Sequence, residues 1–150
     1  MTLIFDTNVL FAGLDRDDAH HNECRELLDD FSYAPRIVPA TVLVELDYFI
    51  RERLGPIVHA AFLRDITDGS ISIVELRRDD YQRVRELCAK YSDQDIGLVD
   101  ASIVAIAERL NEPKIATLDR RHFSLIRARH VEAFELLPAR TPAAKRRPRR

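Results

Sequence analysis

The chain has 150 residues, 46% hydrophobic and 32% charged, enough apolar content for one packed domain and too much for global disorder. No apolar run approaches the ~20 residues of a membrane-spanning helix, and two cysteines, Cys24 and Cys88, exclude a disulfide-stapled scaffold. The net charge of −2 hides an asymmetry: residues 138–150 carry six Lys/Arg and no acid, which leaves 17 basic groups against 25 acidic ones elsewhere, a charge of −8. An acidic body attracts metal cations and a basic tail attracts nucleic acid. The opening MTLIFDTNVL lacks a basic leader and is interrupted by Asp6, so it does not read as a secretory signal. The expectation is a cytoplasmic protein with reduced thiols and no membrane association.

In chain order, Leu3-Ile4-Phe5 is a short apolar run that reads as a buried strand. Thr7 or Asn8 caps a short helix through Leu14. Residues 19–31 form a helix with Cys24, Leu27, Leu28 and Phe31 on one face, and Pro35 breaks it. Residues 36–38 are a brief strand. Residues 41–54 form a long helix ended by Gly55-Pro56, and residues 57–67 form the next. Residues 71–76 are β-branched enough for a strand. Residues 79–90 are helical, with Tyr81, Val84, Leu87 and Cys88 on one side. A polar loop over 92–97 leads to a strong helix at 99–110. Residues 114–118 form a strand ending at Asp119, and the alternation over 131–136 reads as an edge strand. Strands and helices alternate throughout, so the class is α/β with a mainly parallel sheet. The domain spans 1–137. Residues 138–150 form a basic tail with little reason to fold.

Four carboxylates stand out. Asp6 and Asp119 each follow an apolar strand, where open parallel sheets gather their ligands; either could instead cap a helix. Thr117 places a hydroxyl near Asp119. Glu45 lies among Thr41, Val42, Tyr48 and Phe49 at helical spacing, on or beside a buried stripe, where an unpaired charge is costly. Asp100 sits in the first turn of its helix beside Ile103 and Val104, where the helix dipole also favours an acid. Each has a plain structural reading. If the four converge, their repulsion calls for divalent cations, and Mg2+ or Mn2+ held by oxygens suits phosphodiester hydrolysis without a protein nucleophile.

The stretches FDTNVL, VLVELDYF, LVDASIVAIAERL and IATLDRRHF, carrying Asp6, Glu45, Asp100 and Asp119 in that order, resemble the PIN-domain ribonucleases, and most of all the VapC toxins of prokaryotic toxin–antitoxin pairs. The resemblance spans roughly Thr2 to Leu136. It implies a three-layer α/β/α sandwich around a parallel sheet. It also implies a Mg2+- or Mn2+-dependent endoribonuclease acting on structured RNA such as tRNA or rRNA. In that family the acids matching Asp6, Glu45, Asp100 and Asp119 hold the metal, and Asn8 and Thr117 match polar positions nearby. The family further implies a small cognate antitoxin and frequent homodimers. The tail has no counterpart in the pattern.

Weaker signals are weighed beside these. Asp95 is a candidate auxiliary acid, and Asp93 reads as a loop residue. Arg120 and Arg121 follow Asp119 directly and suit RNA phosphates, since guanidinium binds them bidentately; both could equally be surface charges. The tail could add salt-dependent RNA affinity. His20, His21 and Cys24 lack the partner cluster that zinc wants. Asn8 stands where an aspartyl-phosphate enzyme would carry its second acid, which counts against a phosphatase. The remaining alternative is a non-catalytic RNA- or protein-binding module of the same fold.

Overall fold

A computed structural model describes residues 1–140; tail residues 141–150 lie outside the described residues. Five strands, β1 (Leu3–Phe5), β2 (Arg36–Pro39), β3 (Ser72–Val74), β4 (Lys114–Ala116) and β5 (Glu135–Leu137), form one sheet ordered β3-β2-β1-β4-β5. Every pairing is parallel. Among the described residues seven helices flank it: α1 (Thr7–Leu14), α2 (His21–Asp29), α3 (Ala40–Arg53), α4 (Gly55–Thr67), α5 (Arg78–Lys90), α6 (Leu98–Leu110) and α7 (Arg120–Leu125).

The order reverses beside β1. The chain winds outward from β1 through β2 to β3, then returns to place β4 on the other side of β1. Right-handed crossovers put helices of the outward path on one face and those of the return path on the other. The packing agrees: α1 lies on α2 and α3, and α5 lies on α6. The reversal opens a crevice between the C-terminal ends of β1 and β4, where doubly wound sheets bind ligands.

The strands are short, and burial holds them. Leu3, Ile4, Phe5, Val38 and Ile115 are fully enclosed. On α6 every residue from Ala101 to Ala107 is buried, so this helix is central and its first turn is firmly placed. Two charged pairs lock its other end to α5. Arg83 grips Glu108 through two bonds of 2.8 Å, and Arg109 donates to Asp80 at 3.0 and 3.1 Å.

Several elements differ from the sequence reading. Phe31 is exposed beyond α2, in a 3-10 turn at Phe31–Tyr33. On α5 the buried positions are Asp80, Val84 and Leu87, while Tyr81 is exposed. Val84 and Leu87 are buried as expected; Asp80, made tolerable there by Arg109, takes the inward place expected for Tyr81. Cys24 is buried, which pushes its thiol up to about 12, whereas Cys88 is only half-buried. The strand expected over 71–76 pairs only over Ser72–Val74, and β5 pairs only over Glu135–Leu137. β4 stops at Ala116, three residues before Asp119, and α7 was not foreseen. No helix among the described residues is long and apolar enough to cross a membrane.

Candidate active site

The ends of β1 and β4 are stitched together. The Asp6 backbone N–H donates to Ala116 O at 2.9 Å. The Asp6 side chain accepts from Thr7 N at 2.7 Å and from the Thr117 hydroxyl at 2.8 Å. Thr117 accepts in turn from Asp119 N at 3.0 Å, and Asn8 Oδ1 accepts from Leu118 N at 3.0 Å. Asp6 is therefore the N-cap of α1, the place expected for Thr7 or Asn8, because its carboxylate meets the first free N–H of the helix. Asp6 also lines the cleft, so cap and cleft residue are one.

This cleft, of about 360 Å3, is lined by Asp6, Asn8, Glu45, Asp100 and Asp119 along with Phe49 and Arg53. The carboxylates come from the ends of β1 and β4 and the early turns of α3 and α6. They repel one another. Burial raises the Asp6 pKa to about 6; Thr117 and Thr7 pull it down, and the charges of Asp100 and Glu45 push it up. Burial likewise raises Asp100, against the pull of His122 and with the repulsion of Asp119 and Glu45.

His122 bridges two of the acids. Its Nδ1 lies 2.8 Å from Asp100 Oδ2 and 3.2 Å from Asp119 Oδ2. Asp119 caps α7, and its side chain accepts from His122 N. The Thr41 and Ser102 hydroxyls meet at 2.6 Å, joining α3 to α6 beside the site. Ser102 donates to Val99 O at 2.7 Å, so Thr41 is the donor in the pair. Ser102→Ala leaves the Thr41 hydroxyl without its acceptor, and urea denaturation should read a loss of about 1–2 kcal/mol.

A divalent ion fits the donor set. Ligand atoms of Asp100, Asp119 and His122 all lie within 4.8 Å of one another, and the acids around them supply the hard oxygens that Mg2+ and Mn2+ prefer. Thr7 also lines the cleft, and its buried Oγ1 has no hydrogen-bond partner among the described residues. A buried hydroxyl is seldom left so, and a hydrated cation would supply the partner.

The structure thus brings Asp6, Asn8, Glu45, Thr117, Asp100 and Asp119 to one place. Asp95 is not among them: it is exposed in the turn before α6, in the left-handed region at φ 55°. Arg120 turns away from the cleft and donates to Leu136 O at 3.3 Å and to Pro138 O, so it pins the end of β5. Arg121 is exposed. The zinc spacing does not assemble, since Cys24 is buried, His20 pairs with Glu23, and His21 Nδ1 donates to Ala12 O at 2.8 Å. Sequence reasoning missed His122, Thr7 and Arg53. Only His122 had a local signal, its i,i+3 spacing from Asp119.

Residues 3–128 match the PIN domain family. The chain belongs to that family. This PIN-domain chain is 33% identical over 136 residues to Ribonuclease VapC26 of Mycobacterium tuberculosis, spanning 91% of the chain and 100% of that protein. Among solved structures it resembles M. tuberculosis VapC20, a sarcin-ricin loop cleaving toxin. The TM-score is 0.67 at 17% identity, covering 76% of this chain and 87% of that one. It also resembles VapBC2 from Rickettsia felis, solved on a DNA fragment from its promoter, with a TM-score of 0.64 at 19% identity covering 91% and 98%. These structural likenesses establish the PIN fold that the resemblance implied: a parallel sheet between helices.

Proposed function

We propose that this PIN-domain chain is a divalent-metal-dependent endoribonuclease that cuts structured RNA, of the tRNA or rRNA kind, as the toxin of a toxin–antitoxin pair. The observation that carries the reading is the convergence of Asp6, Glu45, Asp100 and Asp119, from four separate segments, on one cleft at the sheet's reversal point. The 33% identity to a ribonuclease over that protein's whole length supports it.

Asp6, Glu45, Asp100 and Asp119 would hold Mg2+ or Mn2+, with His122 beside them. When bound, such ions lower the pKa of water and offset charge on a phosphodiester's leaving oxygen. The chain's own work is positioning. Thr117 and Thr7 N fix the Asp6 carboxylate through both oxygens, so its rotamer is set before any ligand arrives. His122 reaches both Asp100 and Asp119 and holds them at one spacing. Asn8 ties the loop before Asp119 to α1. Arg121 is the remaining candidate phosphate contact of its pair. The reading includes a 1–137 domain with an appended basic tail, a cytoplasmic setting, a homodimer and a small antitoxin that covers the cleft.

The test is cleavage of total RNA by antitoxin-free protein, with 5′ ends mapped, in Mg2+, Mn2+ or EDTA. Discrete cuts that need the metal support the reading. A folded protein that binds RNA without cutting it under any of these conditions would make it a binding module. Thr117 allows a finer check. Thr117→Val removes the donor to Asp6 and the acceptor for Asp119 N, and loss of such a supporting partner typically lowers activity or metal affinity about 10–100-fold. Thr117→Ser should recover most of the cleavage rate and of the Mn2+ affinity measured by calorimetry.

A further inference from the structure

We propose that Arg53 is a substrate-positioning residue that binds a phosphate of the RNA flanking the cut, held in readiness by two phenylalanine rings; this rests on the ribonuclease reading above. The cleft lining carries five carboxylates, Asp6, Asp18, Glu45, Asp100 and Asp119, and among the described residues a single cation, Arg53. A polyanion approaching that wall needs opposite charge to meet it. Arg53 is exposed, and it forms no ion pair with any carboxylate among the described residues, so its charge is available.

Its geometry suits the task. The guanidinium carbon lies 5.2 Å from the centre of the Phe49 ring and 5.7 Å from that of Phe11. The two rings meet edge-to-face, with centroids 6.1 Å apart. Stacking on aromatic faces orients the planar group and leaves its N–H edge free for two oxygens of one phosphate. Glu45, Phe49 and Arg53 stand at i, i+4 and i+8 on α3, so Arg53 follows Glu45 by about 12 Å along the axis at ~1.5 Å per residue. The carboxylates and Arg53 therefore address different phosphates of one strand. A plain role in offsetting the dipole at the C-terminal turn of α3 is the competing account, and Arg51 occupies that turn as well.

The test uses a fluorescein-labelled single-stranded RNA and the Asp6→Asn background, with binding followed by anisotropy across a KCl series. Adding Arg53→Gln should weaken binding about tenfold at low salt. It should also make the slope of log affinity against log salt shallower by about 0.7, the share of one phosphate contact on a single strand. Arg53→Lys should keep the slope and recover only part of the affinity, since the charge survives and the stacked fork does not. In the otherwise unaltered protein, Arg53→Gln should raise KM with little change in kcat on a mapped substrate. An unchanged salt slope overturns the proposal, even if binding of an antitoxin changes. A chain that cuts no RNA but loses slope on Arg53→Gln keeps the phosphate contact and overturns only the nuclease reading.

Discussion

Asp6→Asn should abolish RNA cleavage, by at least about a thousandfold, while the protein stays folded. The substitution is nearly isosteric. Asn retains an oxygen for Thr7 N, which preserves the cap of α1. What it removes is the negative charge at the most deeply placed carboxylate of the cleft, 4% exposed. A thousandfold corresponds to about 4 kcal/mol of transition-state stabilisation, within the several kcal/mol that a bound divalent ion supplies. Loss of Mn2+ affinity by calorimetry should accompany loss of cutting. Cleavage that persists in Asp6→Asn would place the chemistry elsewhere or identify a contaminating nuclease. Near-UV circular dichroism should overlay that of the unaltered chain.

The same substitution should change how stability depends on pH. Burial and the neighbouring charges raise Asp6 from 3.8 to about 6, so the folded state binds this proton more tightly than the unfolded state does. The contribution is therefore most favourable below pH 4, is lost as pH rises toward 6, and is gone above it. Asp6 alone accounts for about 3 kcal/mol across that window at ~1.4 kcal/mol per pH unit, and Asp100, raised in the same direction, adds to it. Metal-free Asp6→Asn should thus gain about 3 kcal/mol relative to the unaltered chain between pH 4 and pH 7, read as the difference between two urea titrations. Offsetting this at neutral pH, Asn turns a donor toward the Thr117 hydroxyl and disturbs that bond. Saturating Mg2+ should then stabilise the unaltered chain at pH 7, by about 2.7 kcal/mol at a hundred times Kd. It should do little for Asp6→Asn. A pH dependence identical in both proteins would mean that Asp6 is not strained by its neighbours.

Stability and activity pull against each other at this site. Four acids in one cleft oppose folding, and the chain holds them there with Thr117, Asn8, His122 and the Thr41–Ser102 pair. Burial of an acid does not by itself mark function. Asp80 is as buried as Asp6, yet Arg109 answers it within 3.1 Å and its other contact caps α5 at Arg77 N. Among the described residues, the charges that act on Asp6 are those of Asp100 and Glu45, both acids.

From sequence alone the alternation of strands and helices was legible, because side-chain period follows from local backbone geometry. So were Asp6 and Asp119 past apolar strands, Glu45 beside a buried stripe, and the order of motifs that marks a PIN domain. Each single residue or motif among those signals is read within about a dozen neighbouring residues, and their order is read along the chain. What only the tertiary structure decided depends on the order β3-β2-β1-β4-β5, which no local pattern contains. That order sets β1 against β4, so that Thr117 bonds a carboxylate 111 residues away and His122 reaches Asp100. It turns Arg120 toward β5, leaves Asp95 outside the cleft, and brings the exposed end of α3 with Arg53 to its rim. The physical reason is that local periodicity fixes which face of an element is buried, whereas contacts between distant segments depend on how the layers close over the core.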